Sequence, residues 1–330
     1  MKHLSILVPE GTIILDTIVG TLNLFKMANS YSKRIGNSRE DIFAIDLVGL
    51  RTTPVTCHKY FQVVPTKTID EVKRTDLIII SSITGNLEEA LKKNQPFVDW
   101  IRRRRIENDA EVASLCRSAF ILAETGLLNG KSCATHWAVH QQFEKKYDKI
   151  NLLPEKVISE DNGIYSSGGA YSFLNMIIYL IERYYGREVA IWCSKMAEID
   201  FDRINQNQFI IFSGQKEHND DTIKEVQNYI EAHFEEKLNV EELTKKFAIS
   251  SRNFIRRFKK ATQNTPFEYI QRVKVEAAKK SFEVSTLNIN EVMYNVGYND
   301  EKAFRKTFKK FTGLSPLEYR RKFNREMALS

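Results

Sequence analysis

Between Val240 and Phe323 the chain contains the same piece twice. Ser250–Tyr269 reads SSRNFIRRFKKATQNTPFEY, and Asp300–Tyr319 reads DEKAFRKTFKKFTGLSPLEY. At an offset of fifty, Phe254 matches Phe304, Phe258 matches Phe308, and Lys259-Lys260 match Lys309-Lys310. Thr262, Pro266, Glu268 and Tyr269 likewise match Thr312, Pro316, Glu318 and Tyr319. A repeat of this length marks a duplicated supersecondary unit. With two copies it is a paired module and not a solenoid.

Each copy has the pattern of a helix-turn-helix. Val240, Leu243 and Phe247 share one face of a short helix. The break Ala248-Ile249-Ser250 follows, and Ser250 or Ser251 is placed to cap the next helix by accepting backbone N–H bonds. That helix buries Phe254, Phe258 and Ala261. Its opposite face carries Arg252, Arg256 and Lys259, with Ile255 and Lys260 at the flanks. In the second copy Ile289, Val292, Met293 and Val296 line the short helix, and Gly297 permits the turn. Phe304, Phe308 and Phe311 face inward while Lys302, Lys306 and Lys309 face out. Pro266 and Pro316 each sit near the start of a further helix, where a missing N–H costs little.

One basic amphipathic helix is commonly just a solvated surface. Two, with matched aromatic cores and matched exits, have the footprint of a nucleic-acid reader. The order is short helix, turn, basic helix, a long linking helix (about Phe267 to Val284), then the same again. It resembles the DNA-binding domain of the AraC/XylS transcription regulators over roughly Asp221 to Phe323. The second-copy residues Val296-Gly297-Tyr298, Phe304, Phe308-Lys309, Gly313, Ser315-Pro316 and Tyr319-Arg320 carry that resemblance. It implies double-stranded DNA as partner. Arg252 and Arg256 are the expected base readers, because guanidinium bonds bidentately to guanine, and Ile255 is placed for a thymine methyl. Lys302 and Lys306 point outward, and Glu301 is placed to accept from a cytosine amino group. Lys259, Lys260, Lys309 and Lys310 are the expected phosphate contacts.

Charge supports this division. The 330 residues carry 49 Lys/Arg against 42 Asp/Glu, a formal +7. Residues 221–330 hold 22 against 15, so the whole excess lies there, and the rest is balanced. Phosphate neutralisation needs cations in that place. Glycine is uneven in the other direction, with twelve of fourteen before residue 221, which fits a turn-rich first part and a helical second part. The four cysteines, Cys57, Cys116, Cys133 and Cys193, show no metal spacing. No signal peptide is read at the start and no apolar run is long enough to span a membrane. No cofactor or metal is expected, and the expected setting is a reducing cytoplasm.

Residues 1–200 alternate strands and helices. Strands are expected at Leu4–Val8, Phe43–Leu50, Asp76–Ser81, Glu111–Leu115 and Lys156–Ser159, with a small strand or hairpin over His58–Lys67. Helices are expected over Asp16–Ser32, Leu87–Lys93, Pro96–Glu107, Arg117–Leu128, Trp137–Tyr147, Tyr171–Tyr185 and Glu188–Ala197. Such alternation predicts a mainly parallel sheet covered on both faces. The Arg102–Arg105 run closes a helix and reads as a solvated end, where cations complement the dipole. Residues 201–220 are polar and aperiodic and read as a linker to the DNA-binding part, 221–330.

The informative spot in the first part is Ser114-Leu115-Cys116-Arg117-Ser118. A strand ends there and a helix begins, the elbow that exposes a nucleophile at a helix N-terminus. Backbone dipoles in that position favour thiolate, whereas an arbitrary cysteine is more often a buried, inert one, the reading given to Cys133 and Cys193. Cys116, Leu122-Ala123-Glu124, Gly126-Leu127-Leu128, Gly130 and Thr135-His136-Trp137 together resemble the PfpI/isonitrile hydratase-like domain of the GlxA-type regulators, over about residues 3–196. The resemblance implies a flavodoxin-like α/β fold ahead of an all-α domain with two helix-turn-helix motifs. It also implies an acid after the first strand that approaches the elbow thiol, by position Asp16, which is equally suited to cap its helix. The chain departs from the family pattern where Ser114 and Ser118 replace small residues and Arg117 replaces the histidine of the peptidase-like relatives. Arg117 is placed to neutralise a thiolate or to bind an anionic ligand. His136 is as well suited to structure as to catalysis.

Two functions follow. In the first, residues 1–200 sense a small molecule at the strand C-termini, the usual place in open α/β sheets, through Cys116, Asp16, Arg117 and His136, and the tail binds DNA. In the second, Cys116 serves a hydratase or amidohydrolase and the tail is accessory. The degenerate elbow favours the first. The resemblance implies a small nitrogenous effector, and a homodimer through the first domain is the expected assembly.

Overall fold

The structure, a computed structural model, describes residues 1–324 apart from His58, Asp202 and Ile204. It divides into two compact units, Met1–Gln206 and Asn207–Ser330. Unit one begins β1 (Lys2–Leu7), α1 (Leu15–Arg34), β2 (Phe43–Gly49), β3 (Val55–Cys57), β4 (Phe61–Val63), β5 (Lys67–Thr68) and β6 (Leu77–Ile80). It continues α2 (Leu87–Lys93), α3 (Gln95–Asn108), β7 (Glu111–Ser114), α4 (Ala119–Glu124), β8 (Ser132–Cys133), α5 (His140–Lys146) and β9 (Asn151–Leu152). It ends β10 (Ile158–Asp161), β11 (Ile164–Ser167), α6 (Ser172–Tyr185) and α7 (Arg187–Met196).

Seven strands form one sheet in the order β10-β11-β7-β6-β1-β2-β5, parallel except for β10 against β11. The reason is visible in β6, whose four residues are all buried. Leu77 and Ile79 enter one core with Leu4, Ile6 and Ala113, beneath Phe25 of α1 and Ile177 of α6. Ile78 and Ile80 enter the other with Val112, Trp100 of α3 and Phe120 of α4. A strand apolar at every position is stable only with both faces covered. Because β1, β6, β7 and β11 run parallel, Leu7, Ile80, Ser114 and Ser167 end at one edge of the sheet.

Local differences from the sequence reading have local causes. The helix expected over 117–128 is a 3-10 turn at Cys116–Ser118 followed by α4, because Thr125 Oγ1 donates to Leu122 O and Gly126 has a positive φ of 75°. The hairpin is β3 with β4 and starts earlier than expected; His58 lies outside the described residues. The arginine run is partly committed to structure: Arg102 Nε donates to Thr125 O and Arg105 to Asn162 O. No helix among the described residues is long and apolar enough to cross a membrane.

Unit two contains α8 (Asp221–Ala232), α9 (Val240–Lys246), α10 (Ser251–Thr262), α11 (Pro266–Val284), α12 (Ile289–Asn295), α13 (Glu301–Thr312) and α14 (Pro316–Phe323). The duplication reappears as duplicated packing. Phe258 meets Tyr269 edge-on at 5.3 Å and 84°, and Phe308 meets Tyr319 at 5.4 Å and 84°. Tyr269 donates to Glu231 and Tyr319 to Glu283, each at 2.6 Å. Phe254, Phe258, Phe304 and Phe308 are fully buried, and each such ring stabilises its copy by roughly 2–3 kcal/mol relative to exposure. One difference is at the caps. Asp300 accepts from Ala303 N, whereas Ser250 occupies the N-cap position without a side-chain bond, so the expected serine cap is absent.

Residues 201–220, read from their polarity as a linker, divide between the units. Gln206 is buried in unit one. Beyond it, Lys279 Nζ donates to Ile210 O at 2.6 Å, Phe212 N donates to Glu276, and the Phe212 ring packs on Tyr269 at 5.1 Å. Asp202 and Ile204 lie outside the described residues.

Candidate functional sites

At the elbow, Leu115 is extended and Cys116 turns to a positive φ of 57°. For a residue other than glycine that conformation costs about 1–2 kcal/mol, so the surroundings must hold it. They do so through backbone groups. Cys116 N donates to Ser167 Oγ at 3.2 Å, and Cys116 O accepts from Thr135 Oγ1 at 2.9 Å. Ser118 departs from the family pattern but locks the turn, accepting from Leu115 N and donating to Ile80 O.

The thiol is 1% exposed, and burial pushes its pKa up, against the Ser82 hydroxyl, the Ala170 and Arg117 N–H groups and the Arg117 charge, which favour thiolate. The expectation of a thiolate stabilised by helix dipoles is therefore corrected. Only a short 3-10 turn begins at Cys116, and desolvation outweighs the donors. Asp16 does not cap α1, whose N-cap is Ile14, and its carboxylate accepts from the Tyr171 hydroxyl at 3.2 Å. Burial also raises the other three thiols, Cys133 to about 12 and Cys193 to about 11.

Arg117 Nη2 donates to Gly85 O, while its buried Nε has no partner among the described residues. His136 Nδ1 accepts from Ala138 N and so caps a turn. Its ring lies against Gly169, where a Cβ would come within 2.2 Å of it. Burial and the Arg117 charge lower its pKa. It is thereby kept neutral beside the Arg117 guanidinium.

Sequence reasoning missed participants in two places. Ala170 and Tyr171 follow the Gly168-Gly169 turn, one bringing its N–H to the sulfur and the other its hydroxyl to Asp16; the Ser-Ser-Gly-Gly run was the available signal. Gln206 is the other. Its Nε2 donates to Thr135 O and Pro154 O at 3.0 Å and to Lys156 O at 3.3 Å, and its Oε1 accepts from Gly169 N at 3.2 Å. One side chain at the end of unit one thus gathers the loops that hold the elbow. All its partners are backbone atoms, so no sequence signal existed.

In unit two the outward residues separate cleanly. Arg252, Ile255, Arg256, Lys259 and Lys260 of α10 are exposed, as are Glu301, Lys302, Lys306, Lys309 and Lys310 of α13. Arg256 is steadied by Asn253 at 2.9 Å. Arg257, one residue on, turns away to a two-point ion pair with Asp220. Arg305, not anticipated, is exposed and holds Glu301 at 2.6 Å. Glu301 therefore begins as an ion-pair partner and not as a free acceptor for cytosine.

Residues 33–183 match the DJ-1/PfpI family and residues 243–322 match a helix-turn-helix domain. The HTH-type transcriptional regulator GbdR of Pseudomonas aeruginosa is 22% identical over 316 residues, covering 94% of this chain and 83% of that one. Isonitrile hydratase of Pseudomonas putida is 26% identical over 147 residues, 44% of this chain and 61% of the enzyme. A putative transcriptional regulator from Vibrio parahaemolyticus superposes with a TM-score of 0.53 at 22% identity, over 59% of this chain and 98% of that one. The chain is thus a DJ-1/PfpI-type domain joined to an AraC-type helix-turn-helix domain, the architecture of a transcription regulator.

Proposed function

We propose that the protein is a sequence-specific DNA-binding regulator whose output is set by a small molecule received in unit one. The observation that supports the reading best is the pair of exposed basic helices, α10 and α13, carried on matched aromatic cores. Each helix enters one major-groove segment, and the two segments lie on one face of the duplex about 10 bp apart. Arg252, Ile255 and Arg256 read bases in one segment, and Lys302, Arg305 and Lys306 face the other. Lys259, Lys260, Lys309 and Lys310 contact phosphate. Selection of bound sites from a randomised DNA pool, followed by footprinting, tests this. Protection of a single short segment would sink the two-reader arrangement.

The effector is a small nitrogenous metabolite bound at the strand C-terminal edge, where Asp16 and Tyr171, Arg117 and His136 surround the elbow. The free donor of Arg117 and the exposed Asp16 carboxylate offer opposite charges to such a molecule. A thermal-shift panel of amino acids and quaternary amines tests it, since a ligand stabilises by RT ln(1 + [L]/Kd). Cys116→Ala should weaken the response if the elbow lines the site.

Catalysis at Cys116 is the weaker reading. The sulfur is buried, and desolvation outweighs the Ser82, Ala170 and Arg117 groups that favour thiolate. A thiol held in its neutral form is a poor nucleophile. Steady-state turnover of an isonitrile by the full chain, lost in Cys116→Ala, would reverse the order.

A further inference from the structure

Unit two holds two aromatic cores, not one. Ile230, Phe254, Phe258 and Tyr269 belong to the first, and Phe282, Phe304, Phe308 and Tyr319 to the second. α11 serves both cores. A rod shared by two packed modules still leaves each module free to rock about it, so something has to fix the angle between α10 and α13.

The copies meet beside α11. Phe234 packs against both cores, and Arg272 lies over Phe212 at 5.8 Å and Phe311 at 4.8 Å. These contacts are apolar or cation–π and tolerate sliding. The directional contact comes from Lys274, midway along α11 and 6% exposed. Its ammonium donates to Glu236 O, in the loop before α9, and to Gly297 O, in the turn before α13, each at 3.1 Å. It also lies 5.5 Å from the Tyr298 ring. Among the described residues, Lys274 is the one side chain that hydrogen-bonds to both copies. Gly297 adds to the fit, because a Cβ there would sit 2.2 Å from Glu235 O. The two backbones are therefore in direct apposition, with the ammonium tying them.

Desolvation lowers the pKa of this amine, and no carboxylate compensates the charge. A buried cation without an anionic partner is a costly way to stabilise a fold, and an apolar residue of similar volume usually serves at least as well. Its value must lie in direction and not in stability.

We propose that Lys274 is the positioning residue that fixes the distance and angle between the two reading helices, and so the spacing of the DNA segments the protein accepts. The inference rests on the two-reader arrangement. Adding one base pair between segments moves the second by about 3.4 Å and turns it by about 34°. A clamped pair of readers tolerates neither, whereas a loosened pair follows.

The test uses the full-length chain and the site it selects from a randomised DNA pool, rebuilt with one or two base pairs added or removed between segments. For the wild type, one base pair should cost about tenfold or more in affinity. Lys274→Met keeps the volume and removes both donors. It should melt cooperatively, select the same bases within each segment, and lose threefold or less for the same change, on the order of a weak mismatch. If the Met variant does not fold, Lys274→Gln, with shorter donors, is measured in the same way and should lie between the two. A spacing profile that superimposes on the wild type's overturns the proposal. Footprints confined to one segment in the wild type overturn the two-reader reading itself, and with it this inference.

Discussion

The elbow and the reading helices are opposite kinds of site. At the elbow the thiol is buried and neutral, and the turn is held by side chains from distant loops that bond to its backbone. On α10 and α13 the side chains proposed to meet DNA stand in solvent, above a separate buried core. A site of the first kind changes state by small rearrangements of a closed network. A site of the second kind works by long-range charge, with its scaffold unchanged. Salt, acid and single substitutions should therefore affect the two sites differently.

Salt should separate them most. If six to eight phosphates are neutralised, log K against log[salt] should slope at roughly −5 to −7, so that going from 50 to 200 mM costs about 10³–10⁴-fold in DNA affinity. Effector binding at the elbow should change little over the same range. A DNA slope shallower than about −2 would mean that the basic faces are not the DNA surface.

Acid should act on unit one. His140 bonds to Thr135 O, and burial, with the nearby His136, lowers its pKa to about 4. A histidine depressed on folding contributes stability that is present above its unfolded pKa of about 6.5 and is lost as pH falls toward 4. The loss is on the order of 3 kcal/mol. His140→Gln keeps a donor for Thr135 O and should flatten that part of the pH–stability curve of the full chain, as followed by urea melts. Parallel curves for the two proteins would remove His140 as the cause.

Arg256→Ala should cost about 1–3 kcal/mol of sequence-specific binding and relax one position of the selected site, with the effector-induced thermal shift kept. Arg305→Ala should do the same in the other segment. Equal loss on all sequences would make these arginines phosphate contacts instead.

The smallest effect sharpens the comparison from the other side. Cys116→Ala should leave DNA affinity without effector within about 0.5 kcal/mol of the parent, because the reading helices have their own core. Gel-shift titration measures it. The same variant should respond less to effector, and an unchanged response would put the sensing site elsewhere in unit one.

The two kinds of site also differ in how far they can be read from sequence. Phe254, Phe258, Arg252, Arg256 and Lys259 lie within one helix, so their division into inside and outside follows from a period of 3.6. The seven-stranded sheet is legible for a similar reason, since runs such as Leu77–Ile80 are apolar at every position. The elbow's place at the end of β7 is legible as well, but its chemistry is not. The state of Cys116 depends on Ser82 and Ala170, 34 residues before it and 54 after it. Arg305 was missed because in sequence it reads as the partner of Glu301 in an ordinary i,i+4 pair. Gln206 and Lys274 were missed because what they bind is main chain, which every sequence has.

The position of Gln206 has a mechanical consequence. It is fastened to the elbow loops, and the 3-10 turn Asn207–Phe209 that follows, with Ile210 and Phe212, is fastened to unit two. Within its own unit Gln206 is a buckle: one amide closes several loops at once, so Gln206→Ala should release them together, seen as faster amide hydrogen exchange at Gly169 with exchange in α11 unchanged.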